Sequence, residues 1–169
     1  MITLNAVLVA TDFSAPSEKA LDYGRALART FGASLHVLNV VENVMAYSVT
    51  EMGAAVTFAN IQQEFEAAAQ SRLEATVRED DRRELKARPV VRTSSSPATA
   101  IVSYAKEAGI DVIVIGTHGR TGLSHLVMGS VAERVVRLAH CPVLTVRDPE
   151  HDFLMPDALQ VAARVSSSS

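Results

Sequence analysis

Five short apolar runs, separated by stretches with helical spacing, restrict the fold of this chain more than any other feature. They are "AVLVA" within residues 3 to 10, "SLHVLNVVE" (34 to 42), "KARPVVRT" (86 to 93), "IDVIVIGT" (110 to 117) and "CPVLTVR" (141 to 147). Val, Leu and Ile occupy positions of both parities in several of them, as expected of strands covered on both faces. Between the runs, Ser14 to Gly32 carries an N-cap serine, Pro16 in the first turn, and Ala20, Leu21, Leu27, Ala28 and Phe31 on one side. Residues 60 to 85 read as one long helix with Ile61, Phe65, Ala68 and Leu73 facing inward. Ser96 and Pro97 open a third helix that ends at Gly109, and Ser130 stands three residues before Glu133, the spacing of a capping box.

Strands alternating with helices imply a mostly parallel sheet with helices on both faces, because right-handed crossovers return each helix over the sheet. The expected class is α/β, in three α/β/α layers. Ligands of such sheets bind beyond the carboxyl ends of the strands, where the strand order reverses. The loops after Ala10, Val40 and Gly116 leave such ends.

The crossover after the fourth strand, "GTHGRTGLSHLVMGS" (116 to 130), concentrates glycines and polar donors. Gly116, Gly119 and Gly122 can take positive φ, and Gly129 directly precedes a helix start. A helix N-terminus presents unpaired N–H groups and partial positive charge, which suits phosphate. Thr117, Ser124 and Ser130 add hydroxyls, Arg120 a guanidinium, and His118 or His125 a ring N–H. Asp12, just past the first strand, can accept from ribose hydroxyls or an adenine amine, and Val40 can offer backbone groups. Neither G-x-x-x-x-G-K-[ST] nor G-x-G-x-x-G occurs, so the chain carries neither of those phosphate signatures.

The formal net charge of −3 argues against an extended nucleic-acid surface. Cys141, the single cysteine, allows no intramolecular disulfide and is expected to be a small buried residue. His36, His118, His125, His140 and His151 show no metal-ligand spacing, so no metal site is expected; His36 reads as a packed strand residue. The opening lacks a basic segment before an apolar one, and no run of roughly 18 apolar residues follows, giving an expectation of no membrane contact and a cytoplasmic location. "REDDRRELK" (78 to 86) mixes charges as a solvated helix face does. Residues 148 to 169 form a C-terminal tail expected to be an appendage.

Gly116-x2-Gly119-x9-Gly129-Ser130, with "DVIVIGTHGRTG" before and "VAERVVRLAHCPVLTVR" after, resembles the universal stress protein family of the UspA type, in its ATP-binding branch. The resemblance spans "VLVATDFS" to Arg147 and so implies one domain over 1–147, with residues 43–59 a variable flap. It implies a five-stranded parallel sheet in the order 3-2-1-4-5 (adenine nucleotide alpha hydrolase-like), a homodimer through the last strand from Val143 to Val146, and ATP, or AMP, ADP or cyclic AMP, with Mg²⁺. By position, Ala10, Thr11 and Asp12 would face adenine and ribose, and Val40 adenine. Gly116, Thr117, His118, Gly119, Arg120, Gly129, Ser130 and Val131 would surround ribose and phosphates. Ala10 stands where many relatives carry proline, and Ser96 where many carry glycine. The implied role is a nucleotide-dependent regulatory protein of the stress response with a further protein partner. A slow ATPase or phosphotransfer enzyme and a nucleotide-free dimeric adaptor are the alternatives.

Overall fold

The computed structural model describes residues 2–44, 54–117 and 128–147. Its elements run β1 (Ala6–Ala10), α1 (Ala15–Phe31), β2 (Ser34–Val41), α2 (Ala54–Thr76), α3 (Glu79–Leu85), β3 (Arg88–Thr93), α4 (Pro97–Glu107), β4 (Val112–Gly116), α5 (Ser130–Leu138) and β5 (Val143–Val146). All five strands pair in parallel, in the order β3-β2-β1-β4-β5. Ala10 lies level with Leu38 on one side and Ile115 on the other, so the carboxyl ends of three strands share one rim.

Because alternate side chains of a strand point to opposite faces, the fully apolar β1 and β4 serve two cores at once. Val7, Val9, Leu35, Val37 and Val114 pack with Ala20, Leu21 and Ala28 of α1, and with Leu73, Val77 and Leu85. Leu8, Ala10, Leu38, Ile113 and Ile115 pack with Ala98, Ile101 and Ala105 of α4 and with Ala132 and Val135 of α5. Each large aliphatic residue so enclosed contributes about 1.5–3 kcal/mol. Helix α1 lies close on β1: a Cβ added to Gly24 would fall inside van der Waals contact of Val9 Cγ2.

Three local expectations change. The helix expected over 60–85 starts earlier, at Ala54, and is interrupted at Val77 and Arg78. Val77 is buried in the core, and Arg78, in extended backbone, donates its N–H to Asp81 Oδ2 at 3.1 Å, which starts a new helix. The charged tract 78–86 is therefore not a wholly solvated face. Asp81 is only 1 % exposed and meets the buried Arg25 guanidinium at 2.8 and 2.9 Å. Gly129, not Ser130, caps α5, and the expected capping box does not form. The Gly129 carbonyl already accepts from Glu133 N at 2.9 Å, so the helix has begun by Ser130. Ser14 does cap α1, yet its hydroxyl turns back to Asp12 instead of the helix amides.

Candidate functional site

A hollow of about 310 Å³ opens on the rim between the ends of β1, β2 and β4 and the starts of α4 and α5. Its wall contains Ala10, Thr11, Asp12, Val40, Gly116, Thr117, Gly129, Ser130 and Val131, nine residues singled out from the sequence. His118, Gly119 and Arg120 lie outside the described residues, as do Gly122, Ser124 and His125. Six further wall residues were not anticipated: Ser17, Leu38, Pro97, Ile101, Ile115 and Ala132. The strand parity of Leu38 and Ile115, and the position of Pro97 at a helix start, were the signals available for three of them.

The turn after β1 is bound largely to itself. Thr11 N donates to Leu38 O at 2.9 Å, and Asn39 Nδ2 donates to Thr11 O at 2.8 Å, which ties β1 to β2. Ser17 Oγ donates to Ser14 O, so the 3.0 Å contact between Thr11 and Ser17 has the Thr11 hydroxyl as donor, while Phe13 N donates to Thr11 Oγ1. Thr11 thereby spends its N–H, its hydroxyl proton and its carbonyl on the protein. Its role is to shape the wall. Asp12 is held next to it by Ser14, whose N–H and hydroxyl both donate to Oδ1. Phe13 takes φ +64, a left-handed conformation uncommon for a bulky residue, and its ring lies under the Arg72 guanidinium at 4.4 Å.

On the opposite wall the glycine at 116 has a reason other than positive φ. A Cβ there would meet Pro16 backbone carbon at 2.9 Å and its Cβ at 3.0 Å, so glycine permits the start of α1 to touch β4. The crossover is then pinched at its base: Thr117 N donates to Val146 O at 2.8 Å, and Gly129 N donates to Thr117 O at 2.7 Å. The second bond consumes the Gly129 amide. Helical geometry leaves the N–H groups of Ser130, Val131 and Ala132 without intrahelical acceptors, and these three residues line the hollow. Among the described residues Asp12 is its only charged lining residue.

The remaining titratable candidates stand apart. His36, in β2, is 5 % exposed and pairs through Nδ1 with the Tyr104 hydroxyl at 2.7 Å; burial first, and then the nearby Arg88 charge, push its pKa down. Cys141 is half-buried, and burial, followed by the Asp111 carboxylate, raises its thiol pKa, so little thiolate exists at neutral pH. Among the described residues no cluster of three His, Cys, Asp or Glu side chains is arranged to hold a metal, and no helix is long and apolar enough to cross a membrane.

A parallel sheet whose order reverses between β1 and β4, with a hollow over that point and a helix N-terminus in its wall, defines a doubly wound α/β domain. Residues 3–147 match the universal stress protein family, and the chain belongs to that family. It is 32 % identical over 147 residues to the universal stress protein YxiE of Bacillus subtilis, covering 85 % of this chain and 99 % of that one. The solved structure of MJ0577, a universal stress protein of Methanocaldococcus jannaschii, superposes with a TM-score of 0.75 at 24 % identity, over 89 % of this chain and 100 % of that one. Two more distant neighbours carry ligands: a universal stress protein from Archaeoglobus fulgidus in complex with dAMP (TM-score 0.52, 24 % identity, 86 % and 99 % covered) and one in complex with cAMP (0.54, 23 %, 86 % and 98 %).

Proposed function

We propose that the hollow binds an adenine nucleotide and that the chain is a nucleotide-dependent regulatory protein of the stress response. The observation that carries this reading is the start of α5: Ser130, Val131 and Ala132, whose amides lack helical acceptors, line the same hollow as Asp12 and the β2 end at Val40. Phosphate oxygens suit the amides, a ribose suits the carboxylate, and an adenine suits the apolar wall of Leu38, Ile101 and Ile115. The dAMP and cAMP complexes of structural neighbours support the same ligand class.

A helix dipole contributes only about 0.3–1 kcal/mol per nearby charge, whereas micromolar affinity needs about −8.2 kcal/mol in total. Base and ribose contacts therefore supply most of the affinity, and the stretch bearing His118, Gly119 and Arg120 supplies further phosphate donors. With one carboxylate and no other described charge in the wall, Mg²⁺ would be held chiefly by the phosphates and water, and would neutralise charge there.

The same reading includes a homodimer through β5. This strand ends the sheet, and Leu144 on it is 37 % exposed, with Val136 and Leu138 exposed on α5 next to it in sequence. An open apolar edge invites pairing.

Calorimetry on nucleotide-stripped protein tests the ligand. ATP, ADP, AMP or cyclic AMP should give binding heat; Asp12→Ala should weaken affinity at least about tenfold, through loss of one charge-assisted hydrogen bond worth about 1.5–3 kcal/mol, and Gly129→Arg should abolish binding. Absence of heat with all four nucleotides rejects the reading.

A further inference from the structure

Residues 11–14 join β1 to α1, and both ends of this link are fixed. Val7 and Val9 hold β1 in the core, while Ala20 and Leu21 hold α1 there and Pro16 touches Gly116. The link turns at Phe13, whose φ of +64 is strained for a bulky residue. Two hydrogen bonds depend on that turn. Phe13 N donates to Thr11 Oγ1 at 3.0 Å, and Ser14 N donates to Asp12 Oδ1 at 3.1 Å, beside the Ser14 hydroxyl on the same oxygen. The peptides on either side of Phe13 carry these two N–H groups. Relaxation to negative φ turns one peptide against the other, so with the ends fixed both bonds cannot persist, and the grip on the Asp12 carboxylate loosens.

Strained backbone persists only where the surroundings impose it. From α2, 59 residues along the chain, Arg72 stacks its guanidinium on the Phe13 ring at 4.4 Å and donates from Nη2 to Phe13 O in a long bond of 3.4 Å. One side chain thus engages both the ring and the carbonyl of the strained residue. A cation–π contact and a hydrogen bond from a charged donor are together of the same order as the strain of one left-handed residue. Among the described residues lining the hollow neither Phe13 nor Arg72 occurs, whereas Asp12 does. Any effect of Arg72 on a ligand there passes through the turn.

We propose that Arg72 is a positioning residue for the nucleotide site: it holds Phe13 left-handed, and the turn so held presents the Asp12 carboxylate. This rests on the reading of the hollow given above. Calorimetry with ATP and Mg²⁺ on the native chain, Arg72→Ala, Phe13→Gly and the double variant tests it. Arg72→Ala, at an exposed helix position, should weaken binding about fivefold by lowering the fraction of chains with the turn in place, which is less than the loss in Asp12→Ala. Glycine takes positive φ unaided, so in the Phe13→Gly background Arg72→Ala should cost nothing further. Phe13→Asn, which also tolerates this conformation, replaces Phe13→Gly should that variant not fold. No loss in Arg72→Ala, or the same loss in both backgrounds, overturns the proposal; the second result means that the arginine acts on the ligand through its charge. A ligand-free readout separates this idea from the functional one. In NMR amide exchange without nucleotide, the Ser14 N–H should exchange about fivefold faster in Arg72→Ala and return toward the native rate when Phe13→Gly is added. If ATP does not bind the native chain the functional reading fails, whereas unchanged Ser14 exchange in Arg72→Ala rejects the positioning role by itself.

Discussion

Single atoms decide much of the rim. The contact between Gly116 and Pro16 leaves no room for one methyl group, and the atoms it would strike include backbone. Gly116→Ala should therefore cost about 1–3 kcal/mol, as overpacked sites do. Urea unfolding would show this as a lower midpoint with an unchanged slope. His36 makes stability depend on pH. Its pKa in the folded chain is below the ordinary 6.5, so the unfolded chain binds the proton first as pH falls. Stability should be full above about pH 6.5 and decline below it until the folded pKa is passed. Comparing urea midpoints at pH 7.5 and 5.5 checks this: His36→Phe should lose less stability over that interval than the native chain. An equal loss in both would exclude His36 as the source.

At the scale of elements, the short α3 is fixed by one buried ion pair more than by its own helix propensity. Asp81 accepts from Arg25 of α1 and from the Arg78 backbone, joining the end of the α2–α3 region to the first helix. Asp81→Ala should destabilise by up to about 3 kcal/mol, because the buried Arg25 charge loses its buried carboxylate and keeps only the exposed Asp22 carboxylate and Thr76 O. Chemical denaturation of the single and double variants measures it; Arg25→Met with Asp81→Leu should recover much of the loss. This pair also shows what a linear reading can and cannot hold. The strands were legible because apolar side chains at both parities have few other uses, and strand order followed from the family resemblance. Asp81 looked like any charge in a mixed tract, since its burial depends on Arg25, 56 residues earlier. The interruption at Val77 was hidden for the same reason: "EATVRED" suits a continuous helix until tertiary contacts claim Val77 and Asp81. The wall of the hollow was legible where residues sat at strand ends, such as Ala10, Asp12 and Val40. Ile101 and Ala132 are apolar residues inside helices, and nothing in their local sequence separates a pocket wall from a core position.

For the molecule as a whole, the hollow and the sheet edge are distinct surfaces. The hollow lies on the carboxyl rim at the ends of β1, β2 and β4, while β5 forms one outer edge of the sheet. Assembly and ligand binding can thus be separated by substitution. Leu144→Lys places a charge on the outer edge, one of the devices that prevent strand pairing. If the chain pairs through β5 as proposed, sedimentation velocity should show a dimer for the native chain and a monomer for the variant, with nucleotide heat the same in both. A native chain already monomeric at micromolar concentration would reject pairing through β5.

The bond from Gly129 N to Thr117 O joins two residues twelve positions apart in sequence. With the doorway latched from both sides, the cost of closing what hangs between rises only slowly with its length, by about 0.6 kcal/mol per doubling. A chain built this way can lengthen, shorten or rewrite that insert at small cost while the frame around it goes on folding as before.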